Sequence, residues 1–328
     1  MLRFLIIRFS SIGDIVLTSP VIRCLKKQVP DAEVHFLTRK IFAEVAEHNP
    51  YIDKKILFDD HLYKTIRILR KNNYDYIIDL HHNLRTFIIK TRLGKKSFSF
   101  SKLNFEKWMM VNFKINRLPA VHLVDRYLET LKFFGVENDG AGLDYFLPPE
   151  VSLPFDLPDS YCVFAIGAKH ETKQLPAEKI AEIIRASGKY FFLTGGKDDF
   201  LKGEKIISMI AESSAKELPH AFNACGKLSI HESAFLISKA NSVVTHDSGM
   251  MHIAAAFKKK IISVWGNTIP EFGMTPYYGN KMVKVFPFEI KDLPCRPCSK
   301  IGYSKCPKGH FRCMLMHDEH QIVQAINE

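Results

Sequence analysis

The 328-residue chain has no apolar run near the ~18 residues that a membrane-crossing helix requires. Nor is a leader expected at its start: "MLRFLII" is short for a signal peptide, is broken by Arg3, and runs into polar sequence with no small-residue cleavage pattern. From these two absences the protein is expected to stay in the cytoplasm. A secreted disulfide framework is missing too, because the seven cysteines are odd in number and four crowd the C-terminal end. Reduced thiols or a bound metal remain open for them. There is no low-complexity tract, no G-x-S-x-G elbow of a serine hydrolase, and no D-x-D pair near the loops discussed below. Acidic residues are scarce in one region. Between Lys64 and Arg117 only Asp75, Asp79 and Glu106 stand among many lysines and arginines.

With 46% hydrophobic and 25% charged residues, the chain has the composition of a globular protein that buries a sizeable core. Its length exceeds what one core usually organises, so two domains of roughly 150 residues are expected. The formal charge of +11 favours anionic partners: nucleic acid, phosphorylated small molecules or an anionic membrane surface.

Short apolar runs alternate with helical patterns. Residues 3–9, 32–38 and 75–81 read as strands, 14–29 as an amphipathic helix, and 124–135 as a helix closed by Gly135. The segment 147–160 carries four prolines and reads as a linker. Beyond it come strands at 161–167, 189–196, 242–246 and 260–266, with helices at 176–187, 229–240, 248–257 and 318–328. The last of these is expected to fold back across the linker. Strand, helix, strand at this spacing predicts parallel sheets, and therefore an α/β chain of two Rossmann-like, doubly wound domains, 1–150 and 151–328, facing a cleft.

Three strand-to-loop transitions in the second domain suit a nucleotide diphosphate. In "VVTHDSGMMHIAAA" Asp247 can cap the next helix or hold a sugar hydroxyl, while Ser248, Gly249 and Met250 offer backbone N–H groups to phosphate and His252 follows one turn later. A capped helix with a core-facing histidine accounts for the same residues. Lys169 and Lys173 follow the strand ending at Gly167, where a leaving diphosphate needs positive charge, although a solvated basic loop fits as well. Gly195 and Gly196 form the third turn. In the first domain, "KKSFSFSKLNFEKW" interleaves Lys95, Lys96 and Lys102 with aromatics. That mixture suits an anionic, lipid-linked acceptor at a membrane surface, single-stranded nucleic acid, or no partner at all.

"RFSSIGDIVLTSPV", "KQLP", "THDSGMMHIAAA", "VWGNTIPE" and "CRPCSKIGYSKCPKGHFRCM" occur in this order along nearly the whole chain. Together they resemble the ADP-heptose:lipopolysaccharide heptosyltransferase family, glycosyltransferase family 9. The resemblance implies a glycosyltransferase-B fold and metal-independent, inverting transfer of heptose from ADP-heptose to the lipopolysaccharide inner core. It places the protein peripherally at the inner face of the cytoplasmic membrane, with no nucleic-acid partner and no required cofactor. By motif, Asp14 becomes the catalytic base and Lys173 the donor-phosphate contact. Arg8, Ser10, Ser11 and Gly13 fall on the acceptor side. The sequence departs from the family's pattern at His246, where Asn is common, and at Leu175, where Trp commonly precedes the proline. Cys295, Cys298, Cys306 and Cys313 have enough soft ligands for a structural zinc, or stand as reduced thiols. A sugar-nucleotide epimerase or hydrolase of the same fold, a family transferase using another sugar, and a nucleic-acid-binding protein remain as alternatives.

Overall fold

The computed structural model describes residues 1–212 and 221–328. The chain forms two compact units. The first comprises Met1–Lys102, Val121–Pro148 and Tyr277–Lys281, the second Leu103–Ala120, Pro149–Pro276 and Met282–Glu328.

The first unit is built on five strands: β1 (Leu2–Ile7), β2 (Ala32–Arg39), β3 (Lys54–Phe58), β4 (Tyr76–Asp79) and β5 (Lys96–Ser99). Their order is β3-β2-β1-β4-β5, and every pairing is parallel. Parallel sheets are covered on both faces, so the central strand needs an unbroken apolar run, and Phe4, Leu5, Ile6 and Ile7 are all inaccessible to solvent. The strand order reverses at β1. Ile7 stands in register with Leu37 on one side and Asp79 on the other, so the carboxyl ends of β1 and β4 open a crevice at the reversal.

Residues 14–29, one helix by sequence, are two: Ile12–Val16 and Ser19–Gln28. Thr18 Oγ1 donates to the Ile15 carbonyl and Ser19 Oγ to the Val16 carbonyl, both at 2.7 Å, and Pro20 has no N–H to carry the first ladder forward. Polar side chains here replace backbone bonds, and the chain restarts one turn later. The helix expected at 124–135 is α-helical over Leu123–Leu128 and then tightens into a 3₁₀ turn, Glu129–Phe134. It ends at Gly135, whose φ of 68° needs a residue without Cβ.

Among the described residues, the second unit has six parallel strands, β6 (Cys162–Ala165), β7 (Phe191–Thr194), β8 (Ala221–Asn223), β9 (Ser242–His246), β10 (Lys260–Trp265) and β11 (Val285–Glu289). They lie in the order β11-β10-β9-β6-β7-β8, which reverses between β6 and β9. Helix Ala177–Ser187 covers the sheet with Ile180, Ile183 and Ile184, each fully buried and each contributing about 1.5–3 kcal/mol. The C-terminal helix Glu319–Asn327 packs on this unit, and its end lines a cavity with Ser160 and Tyr161, where the proline-rich segment ends. Ile322, Ala325 and Ile326 join this same core, and the Lys179 ammonium reaches both the His317 carbonyl and Glu319.

Candidate functional site

At the crevice of the first unit, β1 runs into Arg8, Phe9, Ser10 and Ser11, and Asp14 lies in the first turn of the short helix that follows. The Asp14 carboxylate is held from two sides. Oδ2 accepts from the Ser11 N–H at 3.0 Å and from the Ser11 hydroxyl at 2.8 Å, and Oδ1 pairs with the Arg8 guanidinium at 2.5 Å. Arg8 is itself buried, donating to the Ser10 carbonyl at 2.8 Å, to the Leu80 carbonyl, and to the Tyr127 hydroxyl at 2.7 Å. Burial works against its charge, but Asp14 and Tyr127 outweigh that cost and raise its pKa. Gly13 is buried inside the turn, whereas Ser11 is exposed.

The end of β4 completes the group. Asp79 is fully buried, pairs with Lys90 at 2.8 Å, and accepts the backbone N–H groups of His81 and His82 at 3.1 and 2.7 Å. It thereby shapes the loop that carries His81 to within 5.0 Å of Phe9, ring to ring. Burial, then the charges of Arg8 and Lys102, push the His81 imidazole down to about 4, so it is neutral near pH 7. Lys102 belongs to this neighbourhood. Lys95 and Lys96 do not: Lys96 pairs in register with Tyr76 at the amino end of β4, and its ammonium lies 3.5 Å from the Phe133 ring centroid. Three residues of strand, roughly 10 Å, separate that edge from the one bearing Asp14.

In the second unit, Lys173 and Asp247 meet at 2.5 Å, and Thr268 donates to the same Asp247 oxygen at 2.8 Å. Asp247 therefore does not cap the next helix. Ser248 holds the N-cap place of Gly249–Ala256, its side chain makes no capping bond, and its hydroxyl is 3.3 Å from that of Thr245. Met250 is half-buried in the first turn and His252 buried in the second. Lys169 is exposed on the loop leading to Lys173. Leu175 and His246, the two departures from the family's pattern, touch each other: the Leu175 N–H donates to His246 Nε2 at 2.9 Å, and both residues are fully buried.

The third loop carries an acid that the sequence reading did not single out. Asp199 accepts the Gly196 N–H at 2.8 Å, and a Cβ on Gly195 would lie 2.7 Å from the Asp199 Cβ. Burial raises the pKa of this carboxyl. Beside it Lys202 donates to Gln174 Oε1 at 2.8 Å, and burial lowers its ammonium to about 8. Asp199, Lys202, Thr268 and His81 were all missed. The signal that marked Asp14, a polar residue just past an apolar strand, was also present at His81 and Thr268.

The seven cysteines are free thiols. Among the described residues, no three sulfurs of Cys295, Cys298, Cys306 and Cys313 gather within 4.8 Å of one another, and Cys295 Sγ lies 3.6 Å from His310 Nε2.

The two all-parallel, doubly wound units, together with the likeness to solved heptosyltransferases, place the chain in the glycosyltransferase-B class of fold. The chain belongs to glycosyltransferase family 9 (heptosyltransferase), whose family model matches residues 62–303, and it is thus a glycosyltransferase. It is 26% identical to lipopolysaccharide heptosyltransferase 1 of Campylobacter coli, over all of this chain and 98% of the relative. It is 25% identical to lipooligosaccharide heptosyltransferase 2 of Campylobacter jejuni, over 96% of this chain and 95% of the relative. Among solved structures, the family 9 glycosyl transferase of Veillonella parvula superposes with a TM-score of 0.75 at 21% identity, covering 99% of this chain and 96% of that one. The Escherichia coli ADP-heptose lps heptosyltransferase II superposes with a TM-score of 0.72 at 18% identity, covering 99% and 98%.

Proposed function

We propose that the protein transfers a heptose from ADP-heptose to the inner core of lipopolysaccharide, with inversion at the anomeric carbon and Asp14 as general base. The family membership supports the reaction class, and the lipopolysaccharide relatives that span the whole chain support the substrates. For the base, the supporting observation is the Asp14 carboxylate held between Arg8 and Ser11 at the carboxyl end of β1. A carboxylate oxygen has two lone pairs. The carboxylate takes the proton of the acceptor hydroxyl as that oxygen bonds to the anomeric carbon, while Arg8 and Ser11 keep it oriented. The bond from the anomeric carbon to the β-phosphate oxygen breaks, and ADP leaves with its electrons.

On the donor side, Lys173 and the N–H groups around Ser248, Gly249 and Met250 stabilise the charge growing on the diphosphate without a catalytic metal. Asp199, over Gly195 and Gly196, suits a sugar hydroxyl better than a phosphate. Lys169 and His252 complete the donor side. On the acceptor side stand Arg8, Ser10, Ser11, Gly13 and Lys102, whereas Lys95 and Lys96 lie at the opposite edge of the sheet. Among the described residues no helix is long and apolar enough to cross a membrane, and a lipid-linked acceptor implies peripheral work at the inner face of the cytoplasmic membrane.

Initial rates with ADP-heptose and a defined core acceptor test this. Asp14→Asn is expected to bind the donor normally by calorimetry and to transfer at least ~100-fold more slowly, the usual scale of a general base. Near-parent turnover removes Asp14 from the role. A free sugar as sole product by mass analysis indicates a hydrolase instead.

A further inference from the structure

Helix Asn104–Phe113 buries none of its residues. Phe105, Trp108 and Phe113 are 60%, 50% and 57% exposed, and they form one patch, with Trp108 stacked on Phe105 at 6.2 Å and edge-on to Phe113 at 5.2 Å. Isolated exposed rings are ordinary, but three joined through Trp108 on a helix that buries none of its residues call for a partner. The helix is tied to the cysteine loop of the same unit. The Lys114 ammonium donates to the Pro297 carbonyl at 2.7 Å, and the Lys300 ammonium is 3.4 Å from Asn104 Oδ1. That loop adds Ile301, 58% exposed, and exposed basic residues at Lys300, Lys305, Lys308 and Arg312, with no acidic residue between 295 and 312.

We infer that this helix and the adjoining loop dock the second unit onto an anionic lipid bilayer. The inference deepens the lipid-linked acceptor reading above and rests on it. Ten helical residues span about 15 Å, enough to lie in the interface plane with the rings at the acyl boundary and the ammonium groups among lipid phosphates. Charge complementarity selects the surface, since basic residues beside a bilayer are drawn to anionic lipid within a Debye length. The aliphatic Ile301 has no use for a nucleic-acid base but suits an acyl chain.

Trp108 supplies the readout. The chain has two tryptophans, and Trp265 is 1% exposed with its Nε1–H bonded to Ser263, so emission changes report on Trp108. The probes are acceptor-free vesicles of phosphatidylglycerol with phosphatidylethanolamine, and vesicles of phosphatidylcholine alone. The first are expected to shift the emission to the blue, with quenching by brominated acyl chains, and the second to leave it unchanged. The double substitution Lys300→Glu and Lys305→Glu is expected to raise the lipid needed for half-binding at least ~10-fold, given the scale of one basic residue at a surface. Its transfer to a lipid-free acceptor should match the parent. Phe105→Ser, an exposed change, should weaken pelleting with the anionic vesicles.

No shift, an equal shift with both vesicles, or the same shift with single-stranded DNA overturns the inference. So does a shift that follows protein concentration without lipid, which points to a second copy. Because the vesicles hold no acceptor, binding is read apart from chemistry: vesicle binding together with no heptose transfer to the defined core acceptor would sink the functional reading alone.

Discussion

Arg8 and Asp14 are six residues apart in sequence, but what fixes their pairing comes from far away. Arg8 is 8% exposed and reaches Leu80 and Tyr127, so removing it leaves a carboxylate without its counter-charge and two buried acceptors without a donor. Arg8→Ala is expected to cost about 3 kcal/mol, read as a lower urea midpoint at unchanged m-value. A variant that unfolds with the parent would mean the pair is not part of the unit's structure. Asp14 and Lys173 drew notice because each lies in a short motif on the loop that follows an apolar strand. The Asp247 partner of Lys173 lies 74 residues on, and nothing local to either motif foretells that the two charges meet. Reading Asp247 as a cap used the strongest local rule available, and a tertiary ion pair overrode it.

The strands divide cleanly into those legible from sequence and those not. Among the described residues, the seven interior strands, β1, β2, β4, β6, β7, β9 and β10, were marked by predominantly apolar runs. The four edge strands, β3, β5, β8 and β11, were not. An edge strand pairs on one side only and keeps exposed residues. β3 buries only Ile56 and Phe58, β8 is three residues long, and β11 contains Pro287, which an edge tolerates. Loops between elements hold a sharper constraint. A Cβ on Gly266, just after β10, would sit 2.5 Å from the Thr172 carbonyl oxygen, which is backbone and cannot turn aside. Gly266→Ala is therefore expected to part the loop bearing Thr268 from the loop bearing Lys173. Calorimetry with ADP should show binding weakened at least ~10-fold, and unchanged affinity would mean that these loops do not act together.

For the molecule as a whole, acid stability follows from histidines buried neutral. Burial, helped by Arg296 and Lys179, pushes His317 down to about 4, whereas an unfolded histidine titrates near 6.5. Between those values the unfolded chain binds the extra proton, so stability is intact above about 6.5 and is lost as pH falls towards 4. His317 accounts for up to about 3 kcal/mol of that loss, with His81 adding in the same sense. Denaturation midpoints at pH 7 and pH 5 should differ for the parent and differ less for His317→Gln; equal differences would remove His317 as a cause. The proline-rich stretch marks one passage between units, at Pro148 and Pro149, but the chain passes between them at four further points. Residues 103–120 carry no core positions to announce which unit they join, and only contacts such as Lys114 with Pro297 reveal it.

This interleaving bears on inheritance. A crossover between two relatives at the linker would not exchange whole units, because residues 103–120 and Tyr277–Lys281 would stay with the wrong parent. Tyr277, whose hydroxyl donates to Asp125 at 2.8 Å, would then meet a foreign partner. New donor and acceptor combinations in such a chain arise more readily by point substitution in its loops than by shuffling halves.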